Sequence, residues 1–268
     1  MVSIRTDKLG LTYPIGGKLT LARLDRRLAG VEPAGAGGKL MELGRKRYVR
    51  ALKDVSFSLA AGDRLGLVGS NGAGKTTLLK VLYGIFDPTE GEVAIHGRVD
   101  ALFNIQLGFR REATGRRNLE LRGLINGWSG EEIAQRMDEI VEFSELGDFI
   151  DMPVKAYSQG MAARLAFAVA TTMEPEILLM DEWIGAGDPR FQDKAKARME
   201  AMAARAGIIV LASHNHGLLQ RTCTKVLELE KGEVAYFGDA AAYFEARSTT
   251  PDTRPPASKP VRKLSRSS

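Results

Sequence analysis

Gly69-Ser70-Asn71-Gly72-Ala73-Gly74-Lys75-Thr76-Thr77 carries the strongest structural signal in the chain. It fits G-x-x-x-x-G-K-[ST]. Before it, Arg64-Leu65-Gly66-Leu67-Val68 reads as a buried strand, and after it Thr76 to Tyr83 (TTLLKVLY) has helical apolar spacing. The glycines let the backbone curl round a polyphosphate with its N–H groups pointing inward, at the positive end of the following helix. Lys75 is then expected to reach the β- and γ-phosphates, and the Thr76 hydroxyl to ligate Mg²⁺. The stretch reads as a nucleoside-triphosphate site.

Working outward, strand-like apolar runs return at Ile177 to Met180, Ile208 to Leu211 and Val226 to Leu229. From about 100 to 174 the texture is helical, and Ser129 followed by Glu132 is a capping-box pattern opening EEIAQRMDEIVEFSEL. Strands alternating with helices predict an α/β fold with a parallel sheet covered on both faces, the helical stretch forming an inserted lobe. Upstream, VSIRTDKLGLTY alternates like an edge strand, and regular structure is expected to resume at Val49, in a strand running to Leu59. Between them, residues 16 to 48 are rich in Gly, Ala and Arg and read as an insertion, in which Leu19 to Leu28 could form a short amphipathic helix.

The net charge of +5 is unevenly distributed. Residues 16 to 50 hold nine Lys/Arg against Asp25, Glu32 and Glu42, and the tail from 249 to 268 holds Arg254, Lys259, Arg262, Lys263 and Arg266 against Asp252. The remainder is net acidic. Such basic segments suit anionic headgroups or nucleic acid, or are simply solvated, and the Pro- and Ser-rich tail from 248 to 268 is expected to be disordered. The single Cys223 rules out an internal disulfide framework and suits a reducing compartment. No apolar run approaches the roughly 18 residues of a bilayer span, and the N-terminus lacks the order of a signal peptide. The chain is expected to stay on the cytoplasmic side.

Further chemistry is carried by four short patterns. Glu176-Ile177-Leu178-Leu179-Met180-Asp181-Glu182 delivers two adjacent carboxylates at the end of a buried strand, where open α/β sheets place their ligands. Adjacent strand residues point opposite ways, so Asp181 suits the Mg²⁺ shell and Glu182 suits orienting or deprotonating the attacking water. Ser158 can cap the helix that follows Tyr157-Ser158-Gln159-Gly160-Met161. Its hydroxyl, the Gly160 N–H and the helix start would form a second anion site. One nucleotide needs only one phosphate loop, so this second site would face the nucleotide of another copy and imply a dimer. His214, after the strand IIVLAS, sits where it could touch a γ-phosphate, with His216 as its rival. Gly187-Asp188 could fix the water or cross the dimer interface.

In this order, the phosphate loop, Ser158-x-Gly160, MDE, Gly187-Asp188 and Ser213-His214 resemble the nucleotide-binding domain of ABC-type ATPases over roughly residues 3 to 247. The resemblance implies a P-loop NTPase fold with a RecA-like core, an antiparallel β subdomain and an inserted helical subdomain, within an ATPase domain at 1 to 247. It implies ATP and Mg²⁺ as cofactors, and a homodimer with ATP sandwiched between Lys75 of one copy and Ser158 and Gly160 of the other. Most of the family has Leu-Ser-Gly-Gly-Gln where this chain has Tyr157 to Met161. That variant is similar to the form in ATPases exporting bacterial surface polysaccharides such as O-antigen, capsule and teichoic acid. DEWIGAGD (181 to 188), TGRRNL (114 to 119), FSELGDFIDMPVKAYS (143 to 158) and the insertion before Val49 add to the likeness.

By that resemblance the chain is peripheral to the inner face of the bacterial plasma membrane and drives a separate multi-span permease, docked near residues 101 to 117. Gln106 would be the glutamine that senses Mg²⁺ and the permease, although it lies about one residue nearer TGRRN than the family's usual spacing. Tyr13 fits the aromatic residue that stacks on adenine, with Tyr48 as second choice. Only about twenty residues follow the core, too few for a carbohydrate-binding domain, so glycan selection is expected elsewhere. The alternative is a soluble ABC ATPase acting on ribosomes or nucleic acid. Such proteins usually carry two ATPase domains or a long coiled coil, so nucleic acid is not the expected partner.

Overall fold

The computed structural model describes residues 1–14, 39–43, 46–103, 109–182 and 189–248. Two sheets share the work of positioning the site. The larger has the order β10-β9-β4-β8-β7-β6, built from β4 (Arg64–Val68), β6 (Val99–Ala101), β7 (Ile177–Asp181), β8 (Ile208–Ala212), β9 (Lys225–Glu230) and β10 (Glu233–Asp239). All neighbours are parallel except the β9–β10 hairpin. Continuous apolar runs such as IIVLA are what a strand covered on both faces requires, and every residue of β8 is buried.

Alternate residues of these strands feed two separate cores, as the two-residue period of a strand demands. Leu178, Met180, Ile209 and Leu211 join the helical side. Ile177, Leu179, Ile208 and Val210 join the side covered by α1 (Lys75–Leu82) and the second sheet. Each fully buried Leu or Ile contributes about 1.5–3 kcal/mol of apolar burial, so this double coverage fixes the strand ends that carry the site.

The second sheet is antiparallel with order β2-β3-β1-β5, from β1 (Ser3–Pro14), β2 (Lys39–Leu43), β3 (Lys46–Ala60) and β5 (Glu90–His96). The expectation that regular structure resumes at Val49 is corrected here: β3 begins at Lys46 and pairs with β2, Glu42 facing Arg47 across the hairpin. The polar sequence Lys46-Arg47-Tyr48 hides the onset, because cross-strand pairing rather than apolar alternation extends the strand. Thus residues 39–43 and 46–48 of the basic stretch at 16 to 48 are strand. The rest of that stretch, Leu19 to Leu28 included, and the tail from 249 lie outside the described residues.

The helical lobe comprises α2 (Gly115–Ile125), α3 (Gly130–Ser144) and α4 (Gln159–Ala170). The capping box at α3 forms as its sequence predicts, the Ser129 hydroxyl accepting from the Glu132 N–H while the Glu132 carboxylate accepts from the Ser129 N–H. Helix α4 starts exposed at Gln159 and Gly160 and ends fully buried from Leu165 to Ala170, so it spikes from the surface into the core. Helices α5 (Pro189–Arg205), α6 (His216–Thr222) and α7 (Ala240–Ser248) complete the helical side.

Candidate active site

The phosphate-loop stretch forms the predicted strand-loop-helix turn. Gly69, Gly72 and Gly74 have φ of +146°, +81° and +110°, conformations that favour glycine. A Cβ at Gly69 would also overlap the Leu229 carbonyl oxygen. Gly74 precedes α1 and no side chain caps it, so the helix start opens toward the loop.

Lys75 is 8% exposed, and its Nζ donates to the Gly69 carbonyl at 2.6 Å and the Ser70 carbonyl at 3.1 Å. Burial holds this amine below the usual lysine range, with Asp181 and Glu182 pulling the other way. The Thr76 hydroxyl donates to Asp181 Oδ2 at 2.6 Å, joining the helix start to the end of β7. A hydroxyl and a carboxylate brought together in this way offer hard oxygen ligands of the kind Mg²⁺ prefers.

Asp181 and Glu182 diverge for a reason other than strand alternation. The strand ends at Asp181, and Glu182 turns away with φ of +72°, a left-handed conformation that costs a non-glycine residue about 1–2 kcal/mol. Its own N–H donates to the Ala212 carbonyl at 2.8 Å, which ties the turn to the end of β8. The carboxylate is held at both oxygens: the His214 N–H donates to Oε1 at 3.0 Å and the Ser213 hydroxyl to Oε2 at 3.2 Å. His214 Nε2 stands 4.0 Å from Oε1, and the Glu182 and His214 side chains remain 52% and 58% exposed. A strained backbone aiming an exposed carboxylate is the pattern expected of a group held for chemistry.

These groups share one cleft of about 380 Å³, lined by Tyr13, Val49, Ala51, Asn71, Gly72, Ala73, Gly74, Lys75, Thr76, Thr77, Asp181, Glu182 and His214. Tyr13 faces Val49 across the β1–β3 ladder, whereas Tyr48 faces Pro14, one position out of phase and away from the lining. The Tyr13 ring stacks on Phe86, centroids 6.2 Å apart and planes 21° from parallel. His216 lies elsewhere, its ring 6.0 Å from that of Phe244. Gln106 and Asp188 lie outside the described residues.

Ser158 and Gly160 are not part of this cleft. Ser158 caps α4, its hydroxyl accepting from the Met161 N–H at 3.2 Å, and both residues are exposed. Sequence reasoning missed Val49 and Ala51, which only the register of β1 against β3 brings to the cleft. It also missed the clamp on Glu182, although the adjacency of Ser213 to His214 was a usable signal.

Comparison with known proteins agrees with this geometry. Residues 52–185 match the family described as ABC transporter. The chain is 40% identical over 232 residues to the O-antigen export system ATP-binding protein RfbE of Yersinia enterocolitica, covering 87% of this chain and 96% of that protein. It is 42% identical over 204 residues to the O-antigen export system ATP-binding protein RfbB of Myxococcus xanthus, covering 75% of this chain and 47% of the relative's length. The teichoic acids export ATP-binding protein TagH of Listeria innocua is 38% identical over 190 residues, 71% of this chain and 56% of that one. Among solved structures, a dimeric post-hydrolysis state of the ATP-binding cassette MJ0796 bound to ADP and Pi superposes with a TM-score of 0.63 at 22% identity, covering 88% of this chain and 98% of that one. A likeness of that identity speaks for the fold, while the sequence relatives and the matched segment, which begins in β3 and runs past Glu182, establish that this chain belongs to the ABC transporter family.

Proposed function

We propose that the chain is the ATP-hydrolysing subunit of a bacterial exporter, moving a surface polysaccharide of the O-antigen, capsule or teichoic acid class across the cytoplasmic membrane through a separate permease. The observation that carries this reading is the 40% identity to an O-antigen export ATP-binding protein over 96% of that relative's length. No helix among the described residues is long and apolar enough to cross a membrane, which fits a subunit seated on the cytoplasmic face of a membrane partner. The other class considered, an ATPase acting on ribosomes or nucleic acid, draws no support from these relatives.

In the proposed cycle the phosphates of ATP lie in the loop from Gly69 to Thr77, and Lys75 turns from the Gly69 and Ser70 carbonyls to the β- and γ-phosphate oxygens. Thr76 and Asp181 hold Mg²⁺, which when bound neutralises charge on the β- and γ-phosphates. Gln106 joins the metal side on the family pattern alone. Tyr13 stacks on adenine against the apolar wall of Val49 and Ala51. Glu182 orients the attacking water, its carboxylate steadied by Ser213 and the His214 N–H, and the His214 ring meets the transferring phosphoryl charge.

Two copies complete the site, with Ser158 and Gly160 of the second copy reaching the γ-phosphate and Asp188 lying at the junction. Support comes from the exposed start of α4, where among the described residues, the helix's own backbone aside, a Cβ at Gly160 would have only the Ser158 hydroxyl within 4 Å. A glycine with that much room is not required by its own chain's packing. The test replaces Glu182 with Gln in the source cells. The reading predicts loss of a surface glycan with its accumulation inside the membrane, and an unchanged cell surface would refute it.

A further inference from the structure

Gly232 lies far in sequence from both the phosphate loop and Tyr13, yet it is the joint between that loop and the sheet that carries Tyr13. It occupies the second position of the two-residue turn between β9 and β10, with Lys231 at φ of +51° and Gly232 at +84°. Two positive φ values in a two-residue hairpin match the right-handed twist of the flanking strands. Asparagine or aspartate can also adopt positive φ, less readily than glycine. Here, however, a Cβ at 232 would overlap the Ala51 carbonyl oxygen, and one at Gly74 would lie 2.9 Å from the same oxygen and 3.7 Å from Gly232 Cα. Three segments, the turn, β3 and the phosphate loop, therefore meet at a point with no room for side chains.

Both backbone groups of Gly232 are used at that point. Its N–H donates to the Ala73 carbonyl at 3.0 Å, and its carbonyl accepts from the Lys53 N–H at 2.9 Å. Beside them, Lys53 Nζ pairs with Glu233 Oε1 at 3.0 Å. The Ala73–Gly74 peptide is trans and planar, so its C=O and N–H point in opposite directions. Holding the Ala73 oxygen back toward the turn thus aims the Gly74 N–H forward into the cleft that Ala73 and Gly74 line.

We infer that Gly232 is a positioning residue for phosphate binding. Its N–H sets the plane of the Ala73–Gly74 peptide and so aims the Gly74 donor at the phosphates, while its carbonyl fixes the loop relative to β3 and the base-stacking wall. This inference rests on the reading of the cleft as an ATP site. It treats the hairpin turn as part of nucleotide recognition, beyond its role as a connection.

The test is an amide-to-ester replacement at 232 in the full chain, which removes the N–H and adds no side chain, measured beside wild type, Gly232→Ala and the exposed-turn control Lys231→Ala. The inference predicts that the KM for ATP and the Kd for ADP rise about threefold to tenfold in the ester chain, the net worth of one backbone hydrogen bond. The kcat at saturating ATP stays near wild type. Gly232→Ala, which adds the overlap with Ala51, loses more affinity, and Lys231→Ala loses none. Lower thermal stability with unchanged nucleotide affinity in the ester chain would make Gly232 a turn residue only and overturn the inference.

If the ester chain does not fold, amide exchange of wild type decides. The Gly232 N–H must slow on adding Mg·ATP by clearly more than the Lys231 N–H, and equal response of the two would be contradictory. A wild-type chain that bound no ATP at all would instead defeat the reading of the cleft, a result distinct from either of these.

Discussion

Two helix starts in this molecule carry glycine, and they are built in opposite ways. At α1 two of the three loop glycines are hemmed in by their own chain, Gly69 by Leu229 and Gly74 by Ala51 and Leu52, while Gly72 has room around it but a φ of +81°. At α4 the start carries Ser158 and Gly160 in the open; outside the helix's own backbone, only the Ser158 hydroxyl among the described residues lies near a Cβ built at Gly160. Glycine at the first site is explained by internal packing and positive φ. Neither packing nor positive φ accounts for glycine in the first turn of α4, where alanine would favour the helix by up to about 1 kcal/mol, and the proposed approach of a second copy would. On the proposed reading, one half of the site belongs to a single copy and the other half serves a second copy.

The sharpest consequence concerns Glu182. Replacing it with Gln keeps the neighbours Ser213 and His214 but removes the carboxylate proposed to orient the water, and kcat should fall by about 10²–10⁴-fold while ATP still binds and a dimer persists on sizing columns. Normal turnover would remove Glu182 from the chemistry. Next in size, Lys75→Ala deletes the buried ammonium, and ATP affinity should drop by about tenfold to a hundredfold in equilibrium binding, the worth of a charged hydrogen bond. Unchanged affinity would count against the whole cleft.

A pair of alanine substitutions separates the two helix starts. Gly69→Ala should destabilise the fold by about 2 kcal/mol or more, because it meets the Leu229 carbonyl in a disfavoured conformation. Gly160→Ala should hold or raise the melting temperature, yet lower turnover and ATP-dependent dimer formation. Equal melting losses at both positions would erase the contrast. Tyr13→Ala should weaken ATP binding by about 1–3 kcal/mol if the ring stacks on the base, and Tyr48→Ala should have no effect.

The smallest expected effect is on pH dependence. Lys75 is held below its ordinary pKa of 10.5 by burial, so it loses its proton earlier than a free lysine as pH rises. ATP affinity should therefore begin to fall below pH 10.5 in wild type, and this fall should be missing from Lys75→Ala. Titration of binding from neutral pH upward measures the difference.

Much of this was legible in the sequence because the constraint was local. Gly69 to Thr77 carry backbone requirements within nine residues, and the run into Asp181-Glu182 announces a buried strand by its apolar side chains alone. The onset of β3 at Lys46 escaped because polar residues paired across a hairpin show no apolar period. Val49 and Ala51 escaped because only strand register brings them beside Tyr13, and the Thr76–Asp181 bond joins residues 105 apart in sequence. The bond of Gly232 to Ala73 is similarly remote. Glu182 stood out in the sequence by its place after the apolar run, but its separation from Asp181 comes from a left-handed turn, a backbone choice that no side-chain pattern encodes.

The claim that each site is shared between copies is tested most directly by mixing two inactive chains. Lys75→Ala disables the phosphate loop of its copy, and Gly160→Asp places a repelling carboxylate at the start of α4. In a mixed dimer, one composite site keeps an intact Lys75 from one copy and an intact Gly160 from the other. The account predicts that an equimolar mixture hydrolyses ATP faster than the mean of the two separate variants. A mixture no faster than that mean, with mixed dimers shown to have formed, would contradict it.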